Sequence, residues 1–251
     1  MDRRYVSMAR RTRLVFPGVA LHVIQRGVDR TTCFRAEADY LVYLSQLHIL
    51  AAKHGCAIHA YCLMTNHVHL LLTPSEETSC TSLMRDLGQR YVPYFNSRHW
   101  RTGTLWEGRF RSCVAESQHY VLACYRYIEL NPVRARMVND PVSYPWSSYA
   151  VNSGARLDPR LVPHAEFAAL GREGNARNRA YQGLFERQLD EPLLAAIRDA
   201  TNAGYPLVSD TFKTRVLEPL GCKTAPAKPG PRSIFGPGPE LGQRVLALTP
   251  N

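Results

Sequence analysis

The sequence predicts an α+β protein in which helices pack on an antiparallel sheet, followed by a small α-helical region. Two observations carry this expectation. Residues before Tyr149 alternate short apolar strands with helical patterns, and the apolar spacing from Asp158 to Leu220 is helical, interrupted by glycines and prolines. We therefore expect a sheet-based domain over residues 1–150, a helical domain over 151–222, and a flexible, Pro/Gly-rich basic tail over 223–251.

The elements of the first half follow from apolar periodicity and turn signals. In chain order they are a strand at 19–25, a helix at about 37–53, a hairpin of strands at 56–64 and 67–72, a helix at about 79–95, a strand near 109–114 and a helix at about 116–130. Pro132 ends the last helix, because proline disfavours helical geometry at the residue before it. This order of elements is that of a ferredoxin-like split βαβ fold.

The charge balance indicates a polyanionic partner. The chain has 31 Lys and Arg residues against 21 Asp and Glu, which gives a net charge of +10 and a pI near 9.5. Such a field favours nucleic acid. We expect phosphate contacts in two arginine clusters: Arg3, Arg4, Arg10, Arg11 and Arg13 near the N-terminus, and Arg98, Arg101, Arg109 and Arg111 further along.

Cysteine usage and hydropathy narrow the class of protein. The seven cysteines form no CxxC pair, so neither structural zinc nor a disulfide framework is expected. No run of about eighteen apolar residues occurs, so no membrane partner is expected. We expect a cytoplasmic protein.

A histidine pair at the start of a predicted strand is the first candidate site. Successive side chains of a strand alternate between faces, so His67 and His69 point the same way while Val68 packs behind them. Two imidazoles on one strand face are half of a divalent metal site. Taken alone, such a pair is more often structural than metal-binding.

Tyr127 and Asn131 lie one turn apart on one face of a predicted helix, where they present a phenol and an amide carbonyl together. Two histidines and one Asn would leave positions open for phosphate oxygens, which suits Mg²⁺ or Mn²⁺. Tyrosine is a nucleophile that can carry a cleaved strand covalently. Tyr120, two turns earlier on roughly the same face, is the second candidate nucleophile. Asn131 also has a plainer interpretation as a helix C-terminal residue before Pro132.

Four motifs in order resemble one family. They are Asn66-His67-Val68-His69-Leu70-Leu71, Gly103-Thr104-Leu105-Trp106-Glu107-Gly108-Arg109-Phe110, Tyr127-Ile128-Glu129-Leu130-Asn131-Pro132-Val133-Arg134-Ala135 and Tyr144-Pro145-Trp146-Ser147-Ser148-Tyr149. The chain resembles the REP-associated tyrosine transposases, which are bacterial HUH single-tyrosine transposases of the insertion-sequence-200 type. The resemblance spans about residues 8–150 and extends more weakly to residues 197–201 and 210–213.

The resemblance implies an HUH nuclease fold and roles for particular side chains. The metal ligands would be His67, His69 and Asn131, and the nucleophile that becomes linked to a DNA 5′ end would be Tyr127. His22 and Arg26 match a strand beside the site, in a supporting or DNA-contacting role. The substrate would be single-stranded, hairpin-bearing repeat DNA, and the protein would be a monomer or a homodimer.

These observations together predict a transposase that works as a metal-dependent, single-stranded DNA endonuclease and strand transferase. Two alternatives stay open, a hairpin DNA-binding protein that does not cut and a regulatory RNA-binding protein. Residues 158–251 are expected to serve recognition or regulation, so that a fragment ending near Ala150 would fold and still cut. The alternative is that the late helices cover an apolar face of the sheet.

Overall fold

The first four strands and their helices follow one another along the chain in the predicted order. A computed structural model describes residues 13–187 and 189–224. Its four strands are β1 (Ala20–Arg26), β2 (Cys56–Met64), β3 (His67–Pro74) and β4 (Arg111–Ala115). They form one sheet in the order β2-β3-β1-β4, and every neighbouring pair is antiparallel. With the intervening helices, this confirms the α+β, ferredoxin-like fold.

The helices alternate with the strands and then continue beyond them. Within the described residues they are α1 (Glu37–Lys53), α2 (Ser79–Arg98), α3 (Gln118–Glu129), α4 (Asn131–Arg134), α5 (Tyr149–Asn152), α6 (Ala165–Ala168), α7 (Gly174–Gly183), α8 (Glu191–Ala203) and α9 (Asp210–Phe212). None of the helices in this part of the chain is both long and apolar enough to cross a membrane. The predicted contacts at Arg3, Arg4, Arg10 and Arg11, and the predicted tail beyond Thr224, lie outside the described residues.

One face of the sheet, which we call the apolar face, packs on α1 and α2. Alternation along the strands directs Val23, Val68 and Leu70 to this face, where all three are fully buried. Leu47 of α1 and Leu83 of α2 belong to the same buried cluster. The apolar face is therefore a conventional hydrophobic core.

The opposite face, which we call the histidine face, is covered by α3 and by the late helices. Phe167 of α6, Tyr181 of α7 and Ile197 of α8 are buried in one cluster with Cys113 of β4 and Tyr125 of α3. The late helices therefore cover a face of the sheet, which is the alternative weighed above. The division of the chain at residue 150 stays a prediction about independent folding.

The segment after α8 is also tied to the sheet through its backbone. Leu207 N–H donates to the Val114 carbonyl at 2.7 Å, and Glu116 N–H donates to the Leu207 carbonyl at 2.9 Å. These bonds place Leu207 beside β4 as a parallel bridge. Backbone pairing and side-chain burial thus both join the C-terminal region to the first half of the chain.

Candidate active site

Three histidines of two neighbouring strands meet on the histidine face. His67 and His69 of β3 have ring centroids 5.0 Å apart, as expected for side chains two residues apart in an extended strand. His22 of β1 is stacked on His69 with a centroid distance of 5.2 Å. The antiparallel pairing of β1 with β3 makes these two residues diagonal neighbours.

Tyr127 of α3 faces these rings. Its ring lies edge-on to His69 and His22, with centroid distances of 5.7 and 5.5 Å. Tyr120 instead packs its ring against His119 at 5.1 Å. The contact with the histidines therefore belongs to Tyr127.

Asn131 lies where α3 gives way to α4, one turn after Tyr127. Its Nδ2 donates to the carbonyl oxygens of Tyr127 at 3.0 Å and Ile128 at 3.2 Å. An amide has two N–H donors and one carbonyl acceptor, so these bonds leave Oδ1 for another partner. The residue thus stabilises the helix end, as its plainer interpretation expected, and its role as a metal ligand stays a prediction.

Arg134 is a site residue that the sequence reasoning missed. The centre of its guanidinium lies 4.5 Å from the centroid of the Tyr127 ring, and Nη2 donates to the Tyr127 carbonyl. Residues 127, 131 and 134 follow the i, i+4, i+7 spacing of one helix face. That spacing was the available signal, because Arg134 is part of the motif that carries the family resemblance.

The three imidazoles are held neutral by their surroundings. Burial, together with the charge of Arg26, lowers the pKa of His67 to about 4. Burial and the charge of Arg134 lower the pKa of His22 to about 3. The pKa of His69 falls well below its ordinary value, chiefly through burial. Neutral imidazole is the form that ligates metals.

The hydrogen bonds of the histidine pair fit a divalent cation. Nδ1 of His67 lies 2.6 Å from Oδ1 of Asn66, which can only accept, so Nε2 of His67 carries a lone pair. The described hydrogen bonds of His69 also use its Nδ1. Among residues 13–187 and 189–224, no group of three or more His, Cys, Asp and Glu could hold a metal. A third protein ligand here would have to be an amide oxygen, such as that of Asn131.

His22 lies buried behind the histidine pair, and its predicted role, supporting the site or contacting DNA, stays a prediction. The side chain is 0% exposed. Its Nε2 lies 2.9 Å from Nδ1 of His69, and its Nδ1 lies 2.8 Å from Oγ1 of Thr201 on α8. Thr201 is the second residue that the sequence reasoning missed, although it ends the segment 197–201 of the weaker resemblance.

Three of the predicted phosphate-contact residues lie together. Arg26, Arg109 and Arg111 line a small pocket of about 70 Å³, which Asn202 of α8 also borders. Arg26 is paired with His67 across the β1–β3 ladder, so the pocket adjoins the histidine pair. Glu107 lines the same pocket, 3.9 Å from Arg111, and the role of these three arginines in binding nucleic acid stays a prediction.

The other predicted arginines within the described residues make local contacts. Arg98, at the end of α2, lies 3.6 Å from the Asp39 carboxylate, and Arg101 bonds to the Thr104 carbonyl at 3.5 Å. Arg13 donates at 2.8 Å to the carbonyl of Phe110, the residue between Arg109 and Arg111, and lies over the Phe110 ring. A nucleic-acid role for each of these arginines stays a prediction.

The fold and this cluster define a class of protein: an antiparallel α+β domain with a histidine pair on the sheet and a tyrosine facing it from a helix. Residues 16–131 match the family described as Transposase IS200 like. This match covers less than half of the chain, and it supports for that part the family resemblance that the motifs predicted.

Two solved structures that align with part of this chain are described as transposases. One is a REP-associated tyrosine transposase bound to a REP hairpin, with 15% identity and a TM-score of 0.49 over 63% of this chain and 93% of that one. Another is a candidate transposase from Deinococcus radiodurans R1, with 21% identity and a TM-score of 0.33 over 51% of this chain and 92% of that one. None of the curated proteins matches the chain.

Proposed function

We propose that this protein is a transposase, a metal-dependent, single-stranded DNA endonuclease and strand transferase that acts on hairpin-bearing repeat DNA of the REP type. The observation that carries the proposal is the convergence of the histidine pair with Tyr127. His69 lies 5.0 Å from His67 and 5.7 Å from Tyr127 between ring centroids. The family resemblance of the motifs supplies the expectation of a hairpin substrate.

Tyr127 is the nucleophile in the proposed reaction. Its phenolic oxygen attacks the scissile phosphorus, a new O–P bond forms, and the P–O3′ bond breaks. The downstream strand is left joined to Tyr127 through its 5′ phosphate, and the upstream strand leaves as a 3′-hydroxyl that gains the proton lost by the phenol. Attack by a 3′-hydroxyl on the phosphotyrosine reverses the step, restores the phenol and joins two strands without an external energy source.

The proposed ligands and their neighbours divide the remaining tasks. A divalent cation such as Mg²⁺ or Mn²⁺, held by His67, His69 and Asn131, would polarise the phosphate and stabilise charge on the displaced oxygen. Arg134 places a positive charge 4.5 Å from the Tyr127 ring, which favours the developing phenolate and an incoming phosphate. Arg134 and Asn131 both bond to the Tyr127 carbonyl, so they also fix the backbone that carries the nucleophile.

Tyr127→Phe tests the proposal most directly. The variant removes one oxygen from a ring that is 8% exposed, so packing and hairpin binding should be retained. Incubation with a labelled hairpin oligonucleotide and Mn²⁺ should give a covalent protein–DNA adduct with the wild type and none with Tyr127→Phe. Tyr120→Phe is the matched control and should keep the adduct, whereas excess chelator should abolish it in the wild type.

Each alternative has its own outcome in this experiment. A wild type that binds the hairpin but forms no adduct with Mg²⁺ or Mn²⁺ would favour a binding protein that does not cut. Preferential binding of the equivalent RNA hairpin would favour the RNA-binding alternative. Undiminished cleavage in excess chelator would exclude the metal-dependent mechanism.

A further inference from the structure

A row of buried hydrogen bonds joins α8 to the histidine pair. Oγ1 of Thr201 lies 2.7 Å from the Ile197 carbonyl oxygen and 2.8 Å from Nδ1 of His22. Nε2 of His22 lies 2.9 Å from Nδ1 of His69. Thr201, His22 and His69 are exposed by 2%, 0% and 2%, so each group depends on its neighbours in the row for hydrogen bonding.

The hydrogen bonds of this row can be donated in either of two directions, and each direction gives His69 a different tautomer. A neutral imidazole carries its proton on one nitrogen and accepts at the other. If Thr201 donates to Nδ1 of His22, then Nε2–H of His22 donates to His69, and the proton of His69 lies on Nε2. If Thr201 accepts from His22 instead, then His69 donates from Nδ1 and its Nε2 carries a lone pair.

The Ile197 carbonyl selects between these directions. A threonine hydroxyl has one proton, and the carbonyl four residues earlier in the helix can only accept it. Thr201 must then accept from Nδ1–H of His22. The remaining neighbour, Sγ of Cys113 at 3.2 Å, is a weak partner that can contribute its own S–H.

We propose that Thr201, acting through His22, holds His69 in the Nδ1–H tautomer and so leaves Nε2 of His69 free to bind a divalent cation. Metal-ligating histidines commonly donate their second ring N–H to an acceptor that fixes tautomer and orientation. Here the acceptor is His22, which is itself oriented by Thr201. Thr201 is thus a positioning residue, supplied by the C-terminal region to the site of the first half.

The consequence for metal binding rests on the proposed function, whereas the tautomer is a property of the metal-free protein. The two can therefore be measured separately. The full chain, labelled with ¹⁵N-histidine, gives two-bond ¹⁵N–¹H correlations that distinguish the Nδ1–H tautomer from the Nε2–H tautomer. The ring signals of His69 are assigned by their loss in His69→Ala. Calorimetric titration with Mn²⁺ then gives the dissociation constant of each variant.

Three variants distinguish the effect of the Thr201 hydroxyl from the effect of side-chain packing. Thr201→Val keeps the shape and removes the hydroxyl, and Thr201→Ser keeps the hydroxyl. Thr73→Val is the matched control, because it removes a similar Thr–His hydrogen bond, 2.8 Å long, between Thr73 and His59 of the same sheet.

The wild type, Thr201→Ser and Thr73→Val should all show the Nδ1–H tautomer at His69. In Thr201→Val the Nδ1 of His22 loses its acceptor, so the proton of His22 should move to Nε2 and that of His69 to its own Nε2. The Mn²⁺ dissociation constant of this variant should rise about 10- to 100-fold, as for other partners of metal-ligating histidines.

Two results would overturn the role of Thr201. One is an Nε2–H tautomer at His69 in the wild type, and the other is an unchanged Nδ1–H tautomer in Thr201→Val. A wild type that has the Nδ1–H tautomer, loses it in Thr201→Val, and binds no Mn²⁺ would support the role of Thr201 and contradict the metal-dependent function instead.

Discussion

The two faces of the sheet bury different kinds of side chain, although the same four strands form both. The apolar face encloses side chains such as Val23 and Leu70 under two long helices that come from the same half of the chain. The histidine face encloses His22, His69 and Glu129, whose burial costs free energy unless each polar group has a partner. Those partners come from segments far away in sequence. The buried polar groups of the reactive face therefore depend on distant parts of the chain for their hydrogen bonds.

The buried carboxyl of Glu129 accepts hydrogen bonds at both of its oxygens. Its Oε1 accepts from Ser148 Oγ at 2.5 Å and from Asn152 Nδ2 at 2.7 Å. Its Oε2 accepts from the Tyr181 hydroxyl at 2.5 Å. The carboxyl of α3 thus joins the region around α5 to α7, and the helix that carries Tyr127 is fixed by residues on both sides of position 150.

Removing the late helices should have the largest effect, because it uncovers the histidine face. A chain that ends at Ala150 loses Ile197, Tyr181 and Phe167, and it exposes the Tyr125 ring on which Phe167 is stacked. We expect this fragment to lose cooperative unfolding and adduct formation, in contrast to the expectation from sequence. Urea unfolding followed by circular dichroism, together with the adduct assay, measures both.

The matched control for this truncation ends at Thr224, where the described residues end, and keeps every described contact. It should unfold cooperatively and form the adduct. If the fragment ending at Ala150 behaves like this control, the two faces do not differ in their dependence on distant sequence, and the late helices are an accessory domain.

The sequence predicted what depends on local periodicity. The strand expected at 67–72 is β3, His67–Pro74, and the helix expected at 116–130 is α3, Gln118–Glu129. The shared direction of His67 and His69 also follows from strand alternation alone. Each of these features is fixed by neighbours along the chain, so a period of 2 or 3.6 residues is sufficient to find it.

The features that could not be predicted depend on tertiary packing. The hydrogen bond between His22 and Thr201 joins residues 179 positions apart, and no local pattern places α8 over β1. The burial of His22 has the same cause, so its 0% exposure could not be predicted from the sequence. Helix spacing could have indicated Arg134 as a site residue, but its contact with the Tyr127 ring depends on how α4 follows α3.

One contribution to the pH dependence of stability should come from Glu129 on the histidine face. Burial raises the pKa of its carboxyl to about 7 from its ordinary value of 4.5, against the hydrogen bonds that favour the anion. Between these values the folded state keeps a proton that the unfolded state has lost, so the contribution of Glu129 to the free energy of unfolding falls as pH rises from about 4.5 to 7. The buried imidazoles of His22, His67 and His69, whose pKa values are lowered, contribute with the opposite sign, so the contribution of Glu129 is measured against a variant. Tyr181 and Cys62 nearby have pKa values raised above their ordinary ranges, so they do not titrate in this window.

Glu129→Gln should remove this dependence. Relative to the variant, the wild type should lose about 3 kcal/mol of unfolding free energy between pH 4.5 and pH 7. Urea unfolding of both proteins at several pH values gives the difference. Parallel pH profiles for the two proteins would show that the buried carboxyl does not titrate in this range.

The smallest expected effect compares an arginine beside the site with one on a helix of the apolar face. Arg109 lines the pocket that adjoins His67 through Arg26, whereas Arg90 of α2 bonds to Gln46 of α1 at 2.9 Å. If Arg109 contacts a phosphate, Arg109→Ala should lower the slope of log affinity against log salt by about 0.7 for a single strand, because fewer counterions are released. Arg90→Ala should leave the slope unchanged. Fluorescence anisotropy over a series of salt concentrations measures both, and equal slopes for the two variants would mean that the DNA does not approach through this pocket.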